Sequence, residues 1–257
     1  MSSSARLSTA DEILPLRTRH RAEMNCQIVH DSIHSRKGWT LSYLLESAGT
    51  VAGFGSVAIA GPWTDKPTVF EFYLLPEFRH RAFDLFEAFL AASSPRFFEV
   101  QSNDVLVTVM ALTYGRDIAS EKIVFHDQQT TALPAHGTRL RCVTAEHEIQ
   151  DCLEQRQGGG EWRLEFEGAE VGKGGILFHY NRPYGDIYME INEPFRRRSF
   201  GSFLVQELKR LCYTLGAIPC ARCDPTNVAS RKTLQHAGFV PFAHILNGTI
   251  AASSAIG

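Results

Sequence analysis

The sequence predicts an α/β chain organised as two tandem domains, and three observations carry that expectation. An alternating stretch, Asp186-Ile187-Tyr188-Met189-Glu190-Ile191, reads as a strand and runs through a basic turn into an amphipathic helix. After that helix, Ala217-Ile218-Pro219-Cys220-Ala221-Arg222-Cys223 reads as a short buried strand of the parallel type. The same succession recurs, in faded form, in the first half of the chain. It places one domain in residues 1–132 and a second in 138–257, joined near Leu133-Pro134-Ala135-His136-Gly137.

The elements follow in order. Trp39-Thr40-Leu41-Ser42-Tyr43-Leu44-Leu45 with Val51-Ala52-Gly53 predicts a two-strand hairpin, and Trp162-Arg163-Leu164-Glu165-Phe166 with Val171-Gly172-Lys173 predicts its counterpart. Phe70-Glu71-Phe72-Tyr73-Leu74 leads to Phe78-Arg79, as Ile187 to Ile191 leads to Phe195-Arg196. A helix with Phe83, Phe86 and Leu90 on its apolar side comes next, then a strand from Phe97 to Val100 and a helix from Val105 to Tyr114. In the second half, Leu204, Leu208, Leu211 and Leu215 recur at helical spacing, Gln206, Lys209 and Arg210 take the other face, and Gly216 stands where a C-terminal cap belongs.

The turn between Ile191 and that helix is where chemistry concentrates. The first amides of a helix lack partners inside it, and its dipole puts partial positive charge there, so the end holds phosphate well. Arg196, Arg197 and Arg198 add full charges, and Gly201 permits close backbone approach. A solvated basic turn is the plain alternative. The residues Arg196-Arg197-Arg198-Ser199-Phe200-Gly201, followed downstream by Asn227-Val228-Ala229-Ser230 and Ala237-Gly238-Phe239, resemble the paired signatures of the GCN5-related N-acetyltransferase (GNAT) superfamily. Ser199 departs from that pattern, standing where the family has its first glycine; serine tolerates positive φ less well, although its hydroxyl can donate to phosphate.

The resemblance covers residues 139 to 250 best and implies two tandem GNAT-like domains, each a mixed, mostly antiparallel sheet flanked by helices. It also implies acetyl-CoA as co-substrate. Pantetheine is then expected along the strand edge at Ile191 and Glu193, pyrophosphate at Arg196, Arg197, Arg198, Ser199, Phe200, Gly201 and Ser202, and the remaining arm beside Asn227 and Ser230. Asn227 has helix capping as its ordinary alternative role. In the first half the matching turn reads Arg79-His80-Arg81-Ala82-Phe83-Asp84; both glycines are gone and Asp84 opposes pyrophosphate, so that copy is expected to be degenerate and to shape the substrate cleft.

Transfer to an amine needs a base before it needs an acid. Deprotonating a lysine-like ammonium at neutral pH costs roughly 4–5 kcal/mol, whereas protonating a leaving thiolate asks for only about 2 kcal/mol. Glu190 is the leading base, acting through water, with Asp186 and Tyr188 on the same strand face in reserve; the amide of Ile191 is the expected oxyanion donor. Alternation points Glu190 away from Ile187, Met189 and Ile191 unless a bulge redirects it. Leu234 occupies the position where many relatives carry a tyrosine acid, leaving Tyr213, Tyr188, His236 or water to replace it.

Composition narrows the classes. A formal charge of −2 gives no basic field for nucleic acid, and no apolar run approaches a membrane span. The Ser-rich first residues lack a signal-peptide core, and six cysteines suggest no disulfide framework, so a cytoplasmic location is expected. Cys220 and Cys223 form one C-x-x-C on an apolar strand, and His30 and His34 lie one helical turn apart without a third ligand; no metal is expected at either. Gln27, His30, Gln101 and Asn103 are conjectured to line an amine-binding cleft between the domains. The expected activity is acetyl transfer from acetyl-CoA to a primary amine of a small molecule or peptide by direct attack. The alternative is a non-catalytic acyl-CoA-binding sensor, and acceptor identity and oligomeric state are left open.

Overall fold

The computed structural model describes residues 2–134 and 136–251; Ala135 of the expected joint lies outside the described residues, as do positions 1 and 252–257. The chain forms two compact units. Their boundaries do not follow the expected 1–132 and 138–257 split: residues 2–26, 33–121 and 244–251 make one unit, and 27–32 with 122–243 make the other. The physical reason is strand pairing. Two long strands pass from one unit into the other, and each unit completes its sheet with a strand segment from the other half of the sequence.

In the first unit, β1 (Ser3–Ser8), β2 (Thr40–Ser47), β3 (Thr50–Ala58), β4 (Thr68–Leu74) and β5 (Phe97–Gln101) lie side by side in chain order. β4 and β5 are parallel but pair only at Thr68↔Phe97 and Val69↔Phe98. Among the described residues its α-helices are α1 (Ala10–Met24), α2 (Ala82–Ser93) and α3 (Val105–Tyr114). α2 packs Leu85, Phe86 and Phe89 against Phe72, Phe98 and Tyr114, an aromatic core with Phe72 and Phe86 centroids 4.8 Å apart. α1 begins at a capping box: Thr9 accepts from the Glu12 amide and Glu12 accepts from the Thr9 amide.

β6 (Gly115–Asp127) leaves this unit at residue 121, and its later part pairs with β11 (Ile218–Cys223) in the second unit, from Cys220↔His126 to Cys223↔Ile123. There the order continues through β10 (Tyr184–Ile191), β9 (Ala169–Leu177), β8 (Gly159–Phe166) and β7 (Thr138–Cys142). α4 (Glu146–Gln155), α5 (Phe200–Thr214) and α6 (Val228–His236) complete the unit. β12 (Phe239–Ile250) starts here and ends by pairing with β5 in the first unit, Ile245↔Gln101 to Thr249↔Phe97.

α5 buries Leu204, Val205, Leu208 and Cys212 against Ile176, Ile187 and Ile191. Gly172 and Gly174 on β9 keep that sheet face low: a Cβ on Gly174 would stand 2.9 Å from Leu208 Cδ1. The segment after β6 is strapped to α5 and α6. Leu133 N donates to Gln206 Oε1 at 2.6 Å, and the amides of Gln128 and Gln129 donate to Gly238 O. Lys209, buried in α5, donates to Gln129 O and Ala237 O at 2.8 and 2.7 Å and lies 2.5 Å from Asp127. Among the described residues, no helix is long and apolar enough to cross a membrane.

Candidate active site

β10 and β11 run parallel for four rows, Tyr184↔Ile218 to Ile187↔Ala221, and then separate. From Tyr188 to Ile191, β10 keeps only its antiparallel partner β9, with Tyr188↔Gly175 and Ile191↔Gly172. The other edge of these residues carries backbone donors and acceptors that no strand takes up among the described residues. The α5 and α6 N-termini border this edge, and between them lies an open cavity of about 800 Å³.

The cavity brings together most of the residues singled out in the sequence. Glu190, Ile191, Arg196, Arg197, Ser199, Phe200, Gly201, Ser202, Asn227 and Ser230 line it. Tyr188, Glu193 and Arg198 do not. Arg198 instead stacks its guanidinium over Phe166, Phe195 and Phe200, at 5.2, 5.9 and 5.2 Å from the ring centroids. Met189, Phe195, Val228, Ala229, Lys232 and Thr233 also line the cavity and were not anticipated. The signal for Lys232 and Thr233 was available, because they stand one turn beyond Val228 and Ala229 on α6.

The turn has an unusual backbone. Arg197 and Ser199 both adopt left-handed conformations, with φ of 61° and 63°. Ser199 is the N-cap of α5, yet its side chain caps nothing. The first helical bond is donated by Phe203 to Ser199 O at 3.1 Å, so the Phe200, Gly201 and Ser202 amides lie ahead of the bonded ladder. Gly201 faces α6: a Cβ there would meet Thr233 Cγ2 at 3.2 Å, Ile191 Cγ1 at 3.5 Å and Met189 Cε at 3.6 Å. Arg196 ties the turn to the strand by donating from Nε to Ile191 O at 3.0 Å. At α6, Asn227 Oδ1 accepts from the Ser230 amide at 2.9 Å, so Asn227 caps the helix and lines the cavity as well.

On the sheet face away from α5, the reserve residues have partners. Asp186 is buried, 3.1 Å from Arg222 and 3.2 Å from His179. Burial alone would push its carboxyl up, but Arg222 and the His179 contact hold it below the ordinary carboxylate range. Tyr188 lies over Gly175 and donates from its hydroxyl to Glu161 Oε2 at 3.3 Å; burial, then Glu161, raise its pKa. Glu190 is exposed, as alternation along β10 expects, and faces Lys173 on β9 with 3.9 Å between Oε2 and Nζ. His179, Arg222 and Glu161 are the polar residues of this face that sequence reading passed over.

The candidates for a replacement acid lie elsewhere. Leu234 is buried in the core behind the cavity. Tyr213 donates to Asp127 Oδ2 at 3.0 Å, and burial with that contact pushes its pKa up to about 12. Neither Tyr213 nor His236 lines the cavity. Gln27 is buried in the second unit and donates to Phe125 O at 3.0 Å, whereas Gln101 and Asn103 belong to the first unit and bond each other at 3.1 Å.

The first-half turn is the same in outline and different in use. Arg79 Nε donates to Leu74 O at 3.2 Å, the counterpart of Arg196 with Ile191. Arg81 is consumed locally, 2.7 Å from Asp84 and 2.8 Å from Ser47 Oγ, and Arg79 also pairs with Glu23.

Comparison with known proteins follows the same line. The acetyltransferase (GNAT) family matches residues 126–239. The fold is similar to that of a GNAT-family acetyltransferase from Colwellia psychrerythraea, with a TM-score of 0.69 at 14% identity, covering 96% of this chain and 100% of that one. It is also similar to a tandem GNAT protein from the clavulanic acid biosynthesis pathway, with a TM-score of 0.58 at 15% identity over 98% of this chain and 100% of the other. A GCN5-related N-acetyltransferase from Sphaerobacter thermophilus gives 0.59 at 14% identity, over 97% and 96% of the two chains. At these identities the likeness is one of fold. No curated protein matches the sequence.

Proposed function

We propose that the chain, whose residues 126–239 match the acetyltransferase (GNAT) family, is an acetyl-CoA-dependent N-acetyltransferase with one working site, in its second unit, and a primary amine of a small molecule or peptide as acceptor. The observation that carries this reading is the cavity between the unpaired edge of β10 and the α5 N-terminus, because it offers backbone amides, arginines and an exposed carboxylate together.

Acetyl-CoA fits the donor set, and when bound it supplies an activated acyl thioester. The Phe200, Gly201 and Ser202 amides with Arg196 and Arg197 suit its pyrophosphate, and the glycine keeps that approach clear. The Ile191 amide, on the open edge, is placed to donate to a carbonyl oxygen. Glu190 takes the amine's proton directly or through a water; its carboxylate points to the side of the sheet opposite α5, so donor and acceptor approach from different faces. Tyr188, held by Glu161, stands one pleat behind as a proton donor. In the first unit, Arg81 and Asp84 satisfy each other, which supports a copy that has lost the ligand. Direct transfer distinguishes this reading from an acyl-CoA sensor, which binds without turnover.

The test is calorimetry with acetyl-CoA on the full chain, beside Gly201→Asp and Asp84→Asn. One acetyl-CoA per chain, lost in Gly201→Asp and kept in Asp84→Asn, supports the reading. An intact Gly201→Asp titration refutes the placement. Free thiol release with an amine then separates enzyme from sensor.

A further inference from the structure

Lys173 sits directly opposite Glu190 in the β9–β10 ladder. Directly opposed residues on one sheet face have Cβ atoms about 5 Å apart, so the two side chains share one patch of surface. The ammonium lies 3.9 Å from the Glu190 carboxylate, and both side chains are solvent-accessible, at 40% and 64%. Glu190 is itself part of the cavity wall, next to the open edge at Ile191. Other lysines are placed differently: Lys209 is buried in its ion pair, Lys122 faces Asp224 at 4.0 Å, and Lys232 lines the cavity with no carboxylate beside it among the described contacts. Lys173 is therefore a solvent-accessible primary amine beside Glu190, a carboxylate that lines the cavity.

We propose that Lys173 is an intramolecular acceptor, acetylated by the chain's own site. This rests on the acetyl-CoA reading above. Glu190 removes a proton from the Lys173 ammonium, and the freed amine forms a C–N bond to the acetyl carbon as the C–S bond to CoA breaks. The sulfur leaves as CoA thiol, taking up the second proton that the nitrogen sheds on becoming an amide, relayed by Tyr188 or water, and Glu190 returns the first proton to solvent. A tethered, oriented amine needs no binding step, and such arrangements reach high effective concentrations. The product amide has no charge, so Glu190 loses its cationic neighbour and an acyl chain occupies the approach to it. Self-acetylation would thus be a single turnover per chain in the absence of acceptor.

The experiment incubates the full chain with acetyl-CoA and no amine, reads the intact mass over time, and maps the modified peptide. Calorimetry on the same preparations reports acetyl-CoA binding. The expected result is a gain of one acetyl group on Lys173, at a rate per chain independent of protein concentration. Lys173→Arg gains none while still binding acetyl-CoA. Glu190→Gln binds but modifies Lys173 at least about 100-fold more slowly, the usual loss with a general base. Binding with Lys173 left unmodified overturns this inference alone. Equal modification in Gly201→Asp or in heat-denatured chain, or a rate that scales with protein concentration, also overturns it. Absence of acetyl-CoA binding overturns both this inference and the function on which it rests.

Discussion

Replacing Ser199 by glycine should stabilise the protein, against the usual direction of glycine substitutions. Ser199 holds φ at 63° at the start of α5, and its side chain makes no capping bond. A left-handed conformation costs an L-residue roughly 1–2 kcal/mol, which glycine does not incur. Against that stands the greater freedom of glycine in the unfolded chain, about 0.5–1 kcal/mol. The side chain is exposed and caps no helix amide, so little else changes. The net expectation for Ser199→Gly is a gain of about 0.5–1 kcal/mol, or a rise of about 1–4 °C in Tm for a chain of this size. The register-equivalent residue in the first half, Ala82, has φ of −58° and ψ of −41° and is buried. Ala82→Gly should therefore cost about 1 kcal/mol. Urea unfolding with both variants checks the pair: the midpoint rises for Ser199→Gly and falls for Ala82→Gly, at unchanged m. Loss of stability in both would refute the strain account and assign the Ser199 hydroxyl a partner of its own.

Two further outcomes follow from buried charge. Lys209→Met strands Asp127 and removes the donor to Gln129 O and Ala237 O, so it should cost about 3–5 kcal/mol by urea denaturation, and Lys209→Met with Asp127→Leu should recover most of that. His20 gives a pH signature: burial alone would lower its pKa, but its 2.9 Å contact with Asp104 raises it above the ordinary histidine value, so its contribution is full below about pH 6.5 and is lost as pH rises through the folded-state value. The urea midpoint should fall over that window in wild type and fall less in His20→Gln; equal slopes would refute it.

The elements legible in the sequence were those with local periodicity. The helix from Val105 to Tyr114 and the strands at 70–74, 97–100 and 162–166 lie where apolar spacing puts them. α1 was not legible by that signal, since its buried face mixes Arg17 and His20 with Ile13 and Leu16, although Thr9 and Glu12 spell its capping box. The passage of β6 and β12 between units was not legible either, because it is decided by pairing partners about a hundred residues away, such as Val124 with Arg222. The site divides in the same way. The turn at 196–202 and Asn227 depend on contiguous backbone and could be read. His179, Asp186 and Arg222 come from the β9–β10 loop, β10 and β11, and no spacing announces that they meet.

What separates the two halves is the path of one turn rather than the elements around it. Both have a strand, an arginine bound back to the strand's last carbonyl, and a helix. In the first half a 3-10 turn, Pro76–Arg81, runs straight into α2, and the Ala82 amide is already donated to Arg79 O. None of its residues has positive φ among those described. In the second half, Arg197 and Ser199 swing the chain through left-handed conformations before α5 starts, which brings Gly201 against Thr233 and leaves three amides at the cavity. Removing the Asp84 carboxylate would therefore not restore an anion site in the first half, because the turn behind it spends its amide within the backbone. Charge at the turn selects a ligand only where backbone conformation has first exposed the donors.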